Sequence, residues 1–150
     1  MKFIVLDSTP LGLLTQRVGL PHADICRAWF QAKLTLGLHF LVPEIVDYEL
    51  RRELLRIDST SSIDRLDELE KLGGVTFIPI TTAALRLAAR LWSESRRRGV
   101  PTADPHALDI DVILAAQTIS AALPAGEFVI ATSNPKHLEQ FVPSQTWSAI

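Results

Sequence analysis

The chain has 150 residues, of which 47% are hydrophobic, enough for the core of one domain and too many for a disordered protein. Its formal net charge of −2 excludes tight binding of nucleic acid through bulk positive charge. The single cysteine, Cys26, excludes an internal disulfide framework and a cysteine-rich zinc site. We therefore expect one cytoplasmic domain over residues 1–150, with neither a signal peptide nor a membrane span.

The first strand is predicted by an unbroken apolar run, Phe3–Leu6, with a β-branched centre. Such runs are typical of strands buried on both faces of a parallel sheet. Asp7 follows directly, and Ser8 or Thr9 is expected to cap a helix with Pro10 in its first turn. Ligands bind at the carboxyl edge of such sheets, so Asp7 is a candidate site residue. The alternative is that Asp7 serves the turn or cap only.

The rest of the chain alternates short apolar runs with longer amphipathic segments. The further predicted strands are 39–42, Val75–Ile78, 127–131 and 146–150. The predicted helices are 11–20 (continuing the first helix), 24–36, 44–57, 63–72, 81–98, 107–123 after a loop over 101–106, and a short one ending at Phe141. This order predicts an α/β protein, a three-layer α/β/α domain with a mainly parallel central sheet of about four to five strands.

Two of these helices have a predicted buried face. In the helix over 24–36, the residues expected on that face are Ile25, Ala28, Trp29, Ala32 and Leu36. In the helix over 81–98, they are Leu85, Ala88, Ala89 and Trp92.

Several familiar catalytic motifs are missing from the sequence. It contains no GxGxxG, no GxxxxGK[ST], no GxSxG and no HExxH. What remains is a set of oxygen-bearing side chains, which lie after the first and fourth predicted strands, inside the third predicted helix and at the start of the apolar helix. They are Asp7, Glu49, Asp111 and the run Thr132, Ser133 and Asn134. Because parallel strands end at the same edge, these oxygens suit Mg²⁺ or Mn²⁺, and such an ion suits the displacement of a phosphoryl group.

Four stretches in this order carry a resemblance to a known family. They are FIVLDS over 3–8, PEIVDYELRR over 43–52, DVILAA over 111–116 and FVIATSN over 128–134. With them the chain resembles the PIN-domain nucleases, especially the VapC-type toxin ribonucleases, over essentially its whole length. The resemblance implies a Mg²⁺- or Mn²⁺-dependent endoribonuclease that cleaves RNA, a cognate antitoxin partner and a homodimer.

The resemblance also implies the residues of the site. Asp7, Glu49 and Asp111 would be both catalytic and the metal ligands. Asn134 would be the fourth catalytic residue, where many members have aspartate, and it offers a neutral oxygen instead. The residues expected to support the site are Ser8, Thr132, Ser133 and Asp109.

Each of these assignments has a plainer alternative. Glu49 lies on a helix rich in charges, where a solvated face with ion pairs is the alternative. Asp109 is expected first as a helix cap, and otherwise as support for the site or a part of it. Asn134 precedes a proline, so capping competes with metal binding there.

Five arginines are candidates for contact with RNA phosphates: Arg51, Arg52, Arg96, Arg97 and Arg98. The last three end a predicted helix, where positive charge is favoured without any ligand. The first two have surface ion pairs or contact with a partner protein as alternatives. Two rival functions also stay open: a non-catalytic PIN-fold protein that binds RNA or regulates, and an unrelated flavodoxin-like binding domain.

Overall fold

A parallel sheet forms the centre of the fold in the computed structural model, which describes residues 1–100, 104 and 109–150. Its strands are β1 (Phe3–Leu6), β2 (His39–Pro43), β3 (Val75–Ile78), β4 (Phe128–Thr132) and β5 (Ser144–Thr146). The described part of the chain thus forms a five-stranded sheet in the order β3-β2-β1-β4-β5, with every pairing parallel. The predicted α/β class and parallel sheet are confirmed.

Helices cover both faces of this sheet. Among the described residues they are α1 (Ser8–Thr15), α2 (Pro21–Thr35), α3 (Glu44–Arg56), α4 (Thr60–Leu69), α5 (Thr82–Arg97) and α6 (Ile110–Ser120), with short 3₁₀ helices at Pro135–His137 and Trp147–Ala149. Successive strand residues point to opposite faces, yet Ile4, Val5 and Leu6 are all fully buried. The three-layer arrangement is therefore confirmed. No helix in the described ranges is long and apolar enough to cross a membrane.

The first helix differs from its prediction at both ends. Its N-cap is Asp7 itself, not Ser8 or Thr9, and the helix ends at Thr15 instead of continuing to residue 20. A turn separates it from α2. Arg27 of α2 donates from its guanidinium to the main-chain carbonyls of Gln16 and Arg17 in this turn. Proline is favoured in the first turn of a helix, and α2 accordingly begins at residue 21, three residues earlier than predicted.

The predicted buried face of α2 is wrong. Ile25 is 57% exposed and Leu36 is 72% exposed, and Ala28 and Ala32 are also exposed, so that Trp29 alone of the five is half-buried. The residues that α2 buries are Ala23, Cys26 and Phe30. The helix is rotated because aromatic packing decides its orientation: Phe30 lies 4.4 Å from Phe40 between ring centroids, and Trp29 lies edge-on to both Phe40 and Trp147.

The predicted face of α5 is half right. Ala88 is buried and Trp92 is half-buried, but Leu85 and Ala89 are exposed. The buried residues of α5 are Ala84, Ala88 and Ser95. Small residues take these places because α5 packs closely against α6.

Several element ends also differ from their predictions. The helix predicted over 63–72 spans Thr60–Leu69, because the break before it covers only residues 57–59, where Asp58 has a φ of +55°. The helix predicted over 107–123 ends at Ser120. The short helix predicted to end at Phe141 covers Pro135–His137. The strand predicted over 146–150 is mostly wrong, since the chain turns into a 3₁₀ helix at the buried Trp147. The predicted loop over 101–106, apart from Asp104, and the helix start at 107–108 lie outside the described residues.

A buried glutamine joins the elements beneath the carboxyl edge of the sheet. Gln117 on α6 is 1% exposed; its Oε1 accepts from the Ile45 amide at 3.1 Å and its Nε2 donates to the Ile78 carbonyl at 2.9 Å. Nearby, Glu44 accepts from the Ile80 amide at 2.7 Å. These bonds fix the start of α3 and the end of β3 against α6.

A cluster of charges joins α3 to α4. Arg51 donates two hydrogen bonds to Asp47 and a third to Asp67. Glu70 also contacts Asp47, and burial, followed by the hydrogen bond to Asp47, raises the pKa of Glu70 to about 8. Burial opposes ionisation of Asp47, but hydrogen bonds from Arg51 and Glu70 hold the pKa of Asp47 below its usual value. Glu70 is therefore the group of this pair that favours the protonated form, and Asp47 the one that favours the ionised form.

The raised pKa of Glu70 predicts a pH-dependent stability. The unfolded chain loses the Glu70 proton near the ordinary pKa of 4.5, while the folded chain keeps it to about 8, so stability falls with rising pH between these values and levels off above them. Glu70→Gln is expected to remove most of that fall, because the amide donates to Asp47 at every pH. Urea midpoints across this range check the prediction, with Glu68→Gln on the exposed face of α4 as control. Parallel curves for wild type and Glu70→Gln would contradict it.

Candidate active site

Asp7 ties together the ends of the two central strands. It follows β1 and caps α1, where its Oδ1 accepts from the Ser8 amide at 2.7 Å. Its Oδ2 accepts from the hydroxyl of Thr132, the last residue of β4, at 2.6 Å. The Thr132 hydroxyl in turn accepts from the main-chain amide of Asn134 at 3.1 Å. The expected meeting of these two strand ends is therefore present, with the carboxylate of Asp7 held by donors on both oxygens.

Asp111 lies in the first turn of α6, near enough to Asp7 for the two charges to interact. Asp109 is the N-cap of this helix and accepts from the Val112 amide at 3.2 Å, so it takes the capping role expected first. Burial, and then the charge of Asp7, raise the pKa of Asp111, and contact with His137 opposes that rise. The His137 Nδ1 lies 3.2 Å from Oδ2 of Asp111. The fold thus places two mutually repelling carboxylates at one edge.

Glu49 reaches the same edge from α3. It is partly buried, and its Oε1 accepts from the Ser8 hydroxyl at 2.9 Å. Ser8 thus bonds Asp7 through its amide and Glu49 through its side chain. A cavity of about 310 Å³ adjoins them; its lining residues are Ser8, Thr9, Glu49, Leu50, Arg52 and Glu53. Glu49 therefore faces the beginning of α1 and is not merely part of a solvated face.

The outer rim of the edge is formed by two exposed residues after β4. The Ser133 hydroxyl lies 3.0 Å from that of Thr9, which ties the chain after β4 to the start of α1. Asn134 is exposed, and although it stands at the N-cap of the Pro135–His137 turn, its side chain makes no capping hydrogen bond. Its amide side chain is therefore not used as a cap.

The oxygen donors at this edge suit a hard divalent cation. In the described part of the chain, no three of the His, Cys, Asp and Glu side chains are grouped closely enough to hold a metal ion by themselves. Mg²⁺ commonly takes only one or two carboxylates and keeps several waters. Asp7 and Asp111 repel each other, and a cation held by them would relieve that repulsion. The residues therefore fit a hydrated divalent ion.

The comparisons with known proteins concern the fold of the chain. No family model matches the sequence, and no curated protein does. Solved structures do match, and among them are two that cover almost the whole chain. The complex VapBC2 from Rickettsia felis, bound to a DNA fragment from their promoter, matches with a TM-score of 0.71 and 14% identity, covering 95% of this chain and 97% of that one. DNA-bound VapBC from Salmonella typhimurium matches with a TM-score of 0.66 and 17% identity, covering 98% and 99%.

The chain has the fold of a VapC-type PIN domain. At these identities the likeness shows the fold, and the chemistry rests on the side chains described above. Within the VapC-type fold, Asp7, Glu49 and Asp111 reach the carboxyl edge from β1, α3 and α6.

The candidate arginines occupy three different surroundings in the VapC-type fold. Arg51 is bound by Asp47 and Asp67 between α3 and α4. Arg52 is exposed, lies over the Tyr48 ring at 5.2 Å and lines the cavity beside Glu49. At the end of α5, Arg96 lies over the Trp92 ring at 4.9 Å, while Arg97 and Arg98 are exposed.

The end of α5 is joined to the chain that leaves β4. The buried hydroxyl of Ser95 donates to the Val100 carbonyl and lies 3.2 Å from Oε1 of Gln140. The side-chain amide of Gln140 donates to the main-chain carbonyl of His137 at 3.3 Å. The basic end of α5 therefore lies near the segment that carries His137, and through it near Asp111.

Two residues that matter here were missed by sequence reasoning. His137 has a signal in hindsight, because it follows Asn134 by three residues in the loop after a site strand. Gln117 has none, since a glutamine within an apolar helix does not reveal which main-chain groups it bonds.

Proposed function

We propose that this protein is a metal-dependent endoribonuclease and the toxin of a toxin–antitoxin pair. The observation that carries the proposal is that Asp7, Glu49 and Asp111 converge on the carboxyl edge of a VapC-type PIN sheet. A structural role gives no reason to gather carboxylates at one edge, whereas a Mg²⁺ or Mn²⁺ ion is commonly bound by one or two of them. Glu49 completes the acidic set at the same edge.

Hydrolysis of an RNA phosphodiester adds the oxygen of water to phosphorus and breaks one P–O ester bond, and the departing ribose oxygen takes up a proton. A Mg²⁺ or Mn²⁺ ion bound here supplies a more acidic water and a positive charge for the phosphate. Asp7 and Asp111 would hold that ion. Ser8 and Thr132 fix the Asp7 carboxylate in one orientation, and Ser8 also holds Glu49 toward the edge. This preorganisation is what the chain itself contributes.

Two basic regions are suited to the substrate's phosphates. Arg52 is exposed beside the cavity that Ser8 and Glu49 line, so it can bind a phosphate next to the one that is cleaved. Arg97 and Arg98 lie at the end of α5, which is joined to the segment after β4. With a net charge of −2, binding of RNA would depend on such local patches.

An antitoxin partner is proposed from the matched structures, both of which are VapBC assemblies on DNA. A groove of about 390 Å³ between α1, α2 and α4 suits an apolar segment of that partner. Its lining includes Leu14, Phe30, Leu69, Leu72, Arg27 and Arg65. A homodimer and a cytoplasmic location are further parts of this proposal.

The proposal is tested by cleavage of a mixed set of structured and single-stranded RNAs with Mn²⁺, with Mg²⁺ and with EDTA. Wild type is expected to cut only with metal, and Glu49→Gln to cut about 10- to 100-fold more slowly, because a neutral amide replaces an acidic group of the site. The matched control is Glu68→Gln, an exposed glutamate on α4, which should cut like wild type.

Two results would contradict the nuclease. Wild type that neither cleaves RNA nor binds Mn²⁺ would leave only the fold established. Mn²⁺ binding without cleavage of any RNA would favour the rival, a non-catalytic PIN-fold regulator, for which Asn134 in place of an aspartate is the specific observation.

A further inference from the structure

We infer that His137 is a positioning residue of this site, which holds the Asp111 carboxylate in place through a hydrogen bond from its Nδ1. The inference rests on the proposed function, because it concerns the same metal-binding edge. The Nδ1 of His137 lies 3.2 Å from Oδ2 of Asp111, although 26 residues separate the two in sequence. No motif in the sequence assigns His137 a role.

The segment that carries His137 is anchored on several sides. Its neighbour Leu138 is 1% exposed and fills the core, and the Leu138 amide donates to the Pro135 carbonyl at 3.0 Å. The Gln140 side chain donates to the main-chain carbonyl of His137, and Gln140 in turn contacts the buried Ser95. The imidazole, although half-exposed, therefore extends from a fixed backbone.

The contact gives Asp111 the same kind of support that Asp7 has. Both oxygens of Asp7 accept hydrogen bonds, from the Ser8 amide and the Thr132 hydroxyl. Among the residues that the structure describes, Asp111 has one such partner, the imidazole at Oδ2, which leaves Oδ1 for a ligand. A carboxylate that binds a metal is commonly held by a hydrogen-bonding neighbour, and loss of that neighbour costs about 10- to 100-fold in metal affinity or activity.

The first test needs neither metal nor substrate. In the neutral imidazole one ring nitrogen carries the proton, and the hydrogen bonds of the ring select which one. A carboxylate that accepts from Nδ1 keeps the proton on Nδ1. Nitrogen-15 NMR of the metal-free protein at a pH where His137 is neutral is expected to show the proton on Nδ1. Asp111→Ala should move it toward Nε2. A proton on Nε2 in wild type, or no change in the variant, would overturn the inference.

The second test measures Mn²⁺ affinity and cleavage together. His137→Ala is expected to weaken Mn²⁺ binding about 10- to 100-fold and to lower kcat/KM for RNA by a similar factor. His137→Asn should recover most of both losses, since its side-chain amide places a donor near the position of Nδ1. The matched control is His22→Ala, an exposed histidine on α2, which should behave like wild type.

The outcomes separate this inference from the proposed function. Wild type that binds Mn²⁺ and cuts RNA, with His137→Ala unchanged in Mn²⁺ affinity, would overturn the inference alone. A loss of cleavage without a loss of Mn²⁺ affinity would also overturn it, because His137 would then act on the substrate and not through Asp111. Wild type that neither binds nor cuts would overturn both.

Discussion

Asp111→Asn is expected to lower metal-dependent RNA cleavage about a thousandfold and at the same time to make the protein more stable. The loss of activity follows because a metal ligand supports several kcal/mol of transition-state stabilisation, and each 1.36 kcal/mol is about tenfold in rate. Asn keeps the shape of the side chain and an oxygen that accepts from His137, but it removes the charge.

The gain in stability has its own physical cause. Burial, followed by the charge of Asp7, raises the pKa of Asp111, so the ionised form costs the folded state free energy at neutral pH. That cost is reduced by water, because 29% of the side chain is exposed. We expect a rise in Tm of about 2 to 4 °C, the change that about 1 kcal/mol produces in a domain of this size.

Cleavage rates with Mn²⁺ added, and thermal unfolding of the same preparations without metal, check both parts. The matched control is Asp64→Asn on the exposed face of α4, which should change neither quantity. An Asp111→Asn protein that is less stable than wild type, or that cuts RNA normally, would show that the carboxylate serves the fold and not the chemistry.

Gln117→Leu is expected to lower the free energy of unfolding by about 2 to 4 kcal/mol, the largest effect on stability among our predictions. The substitution puts an apolar side chain of similar size in place of the amide, so it leaves the Ile45 amide and the Ile78 carbonyl without the partner that Gln117 gives them. A buried main-chain group left without a hydrogen bond costs about 1 to 3 kcal/mol.

Urea unfolding measures this loss, with Gln31→Leu on the exposed face of α2 as control. Cleavage should fall as well, because Gln117 fixes α6, which carries Asp111, against the start of α3, which carries Glu49. Unchanged stability in Gln117→Leu would contradict the bridging role of this amide.

The sequence by itself determined the elements that depend on local pattern. The apolar run Phe3–Leu6 and the acid that follows it predicted the central strand and Asp7 at its end, and Val75–Ile78 was likewise predicted to the residue. Runs of this kind need no distant information, because alternation, β-branching and turn residues act over a few positions. The alternation of strands and helices then limited the fold to a parallel α/β sheet.

Tertiary structure alone decided which faces are buried. The pattern of α2 favoured the face with Ile25 and Leu36, but the helix buries Phe30 because Phe40 and Trp147 lie where aromatic rings can pack. The amphipathic pattern of a helix shows where its apolar residues lie, but not the shape of the surface against which the helix packs. A buried face that depends on aromatic packing therefore cannot be predicted without the position of the residues it packs against.

The candidate site shows the same division. The sequence placed Asp7, Glu49 and Asp111 at suitable positions and gave Asp109 its capping role, because each lies at a strand end or on a helix. It did not show that Asp7 and Asp111 repel each other, or that His137 contacts Asp111. Those relations join side chains far apart in sequence, and the sequence does not show which distant side chains meet in the folded protein. Packing of α6 and the segment after β4 onto the sheet decided them.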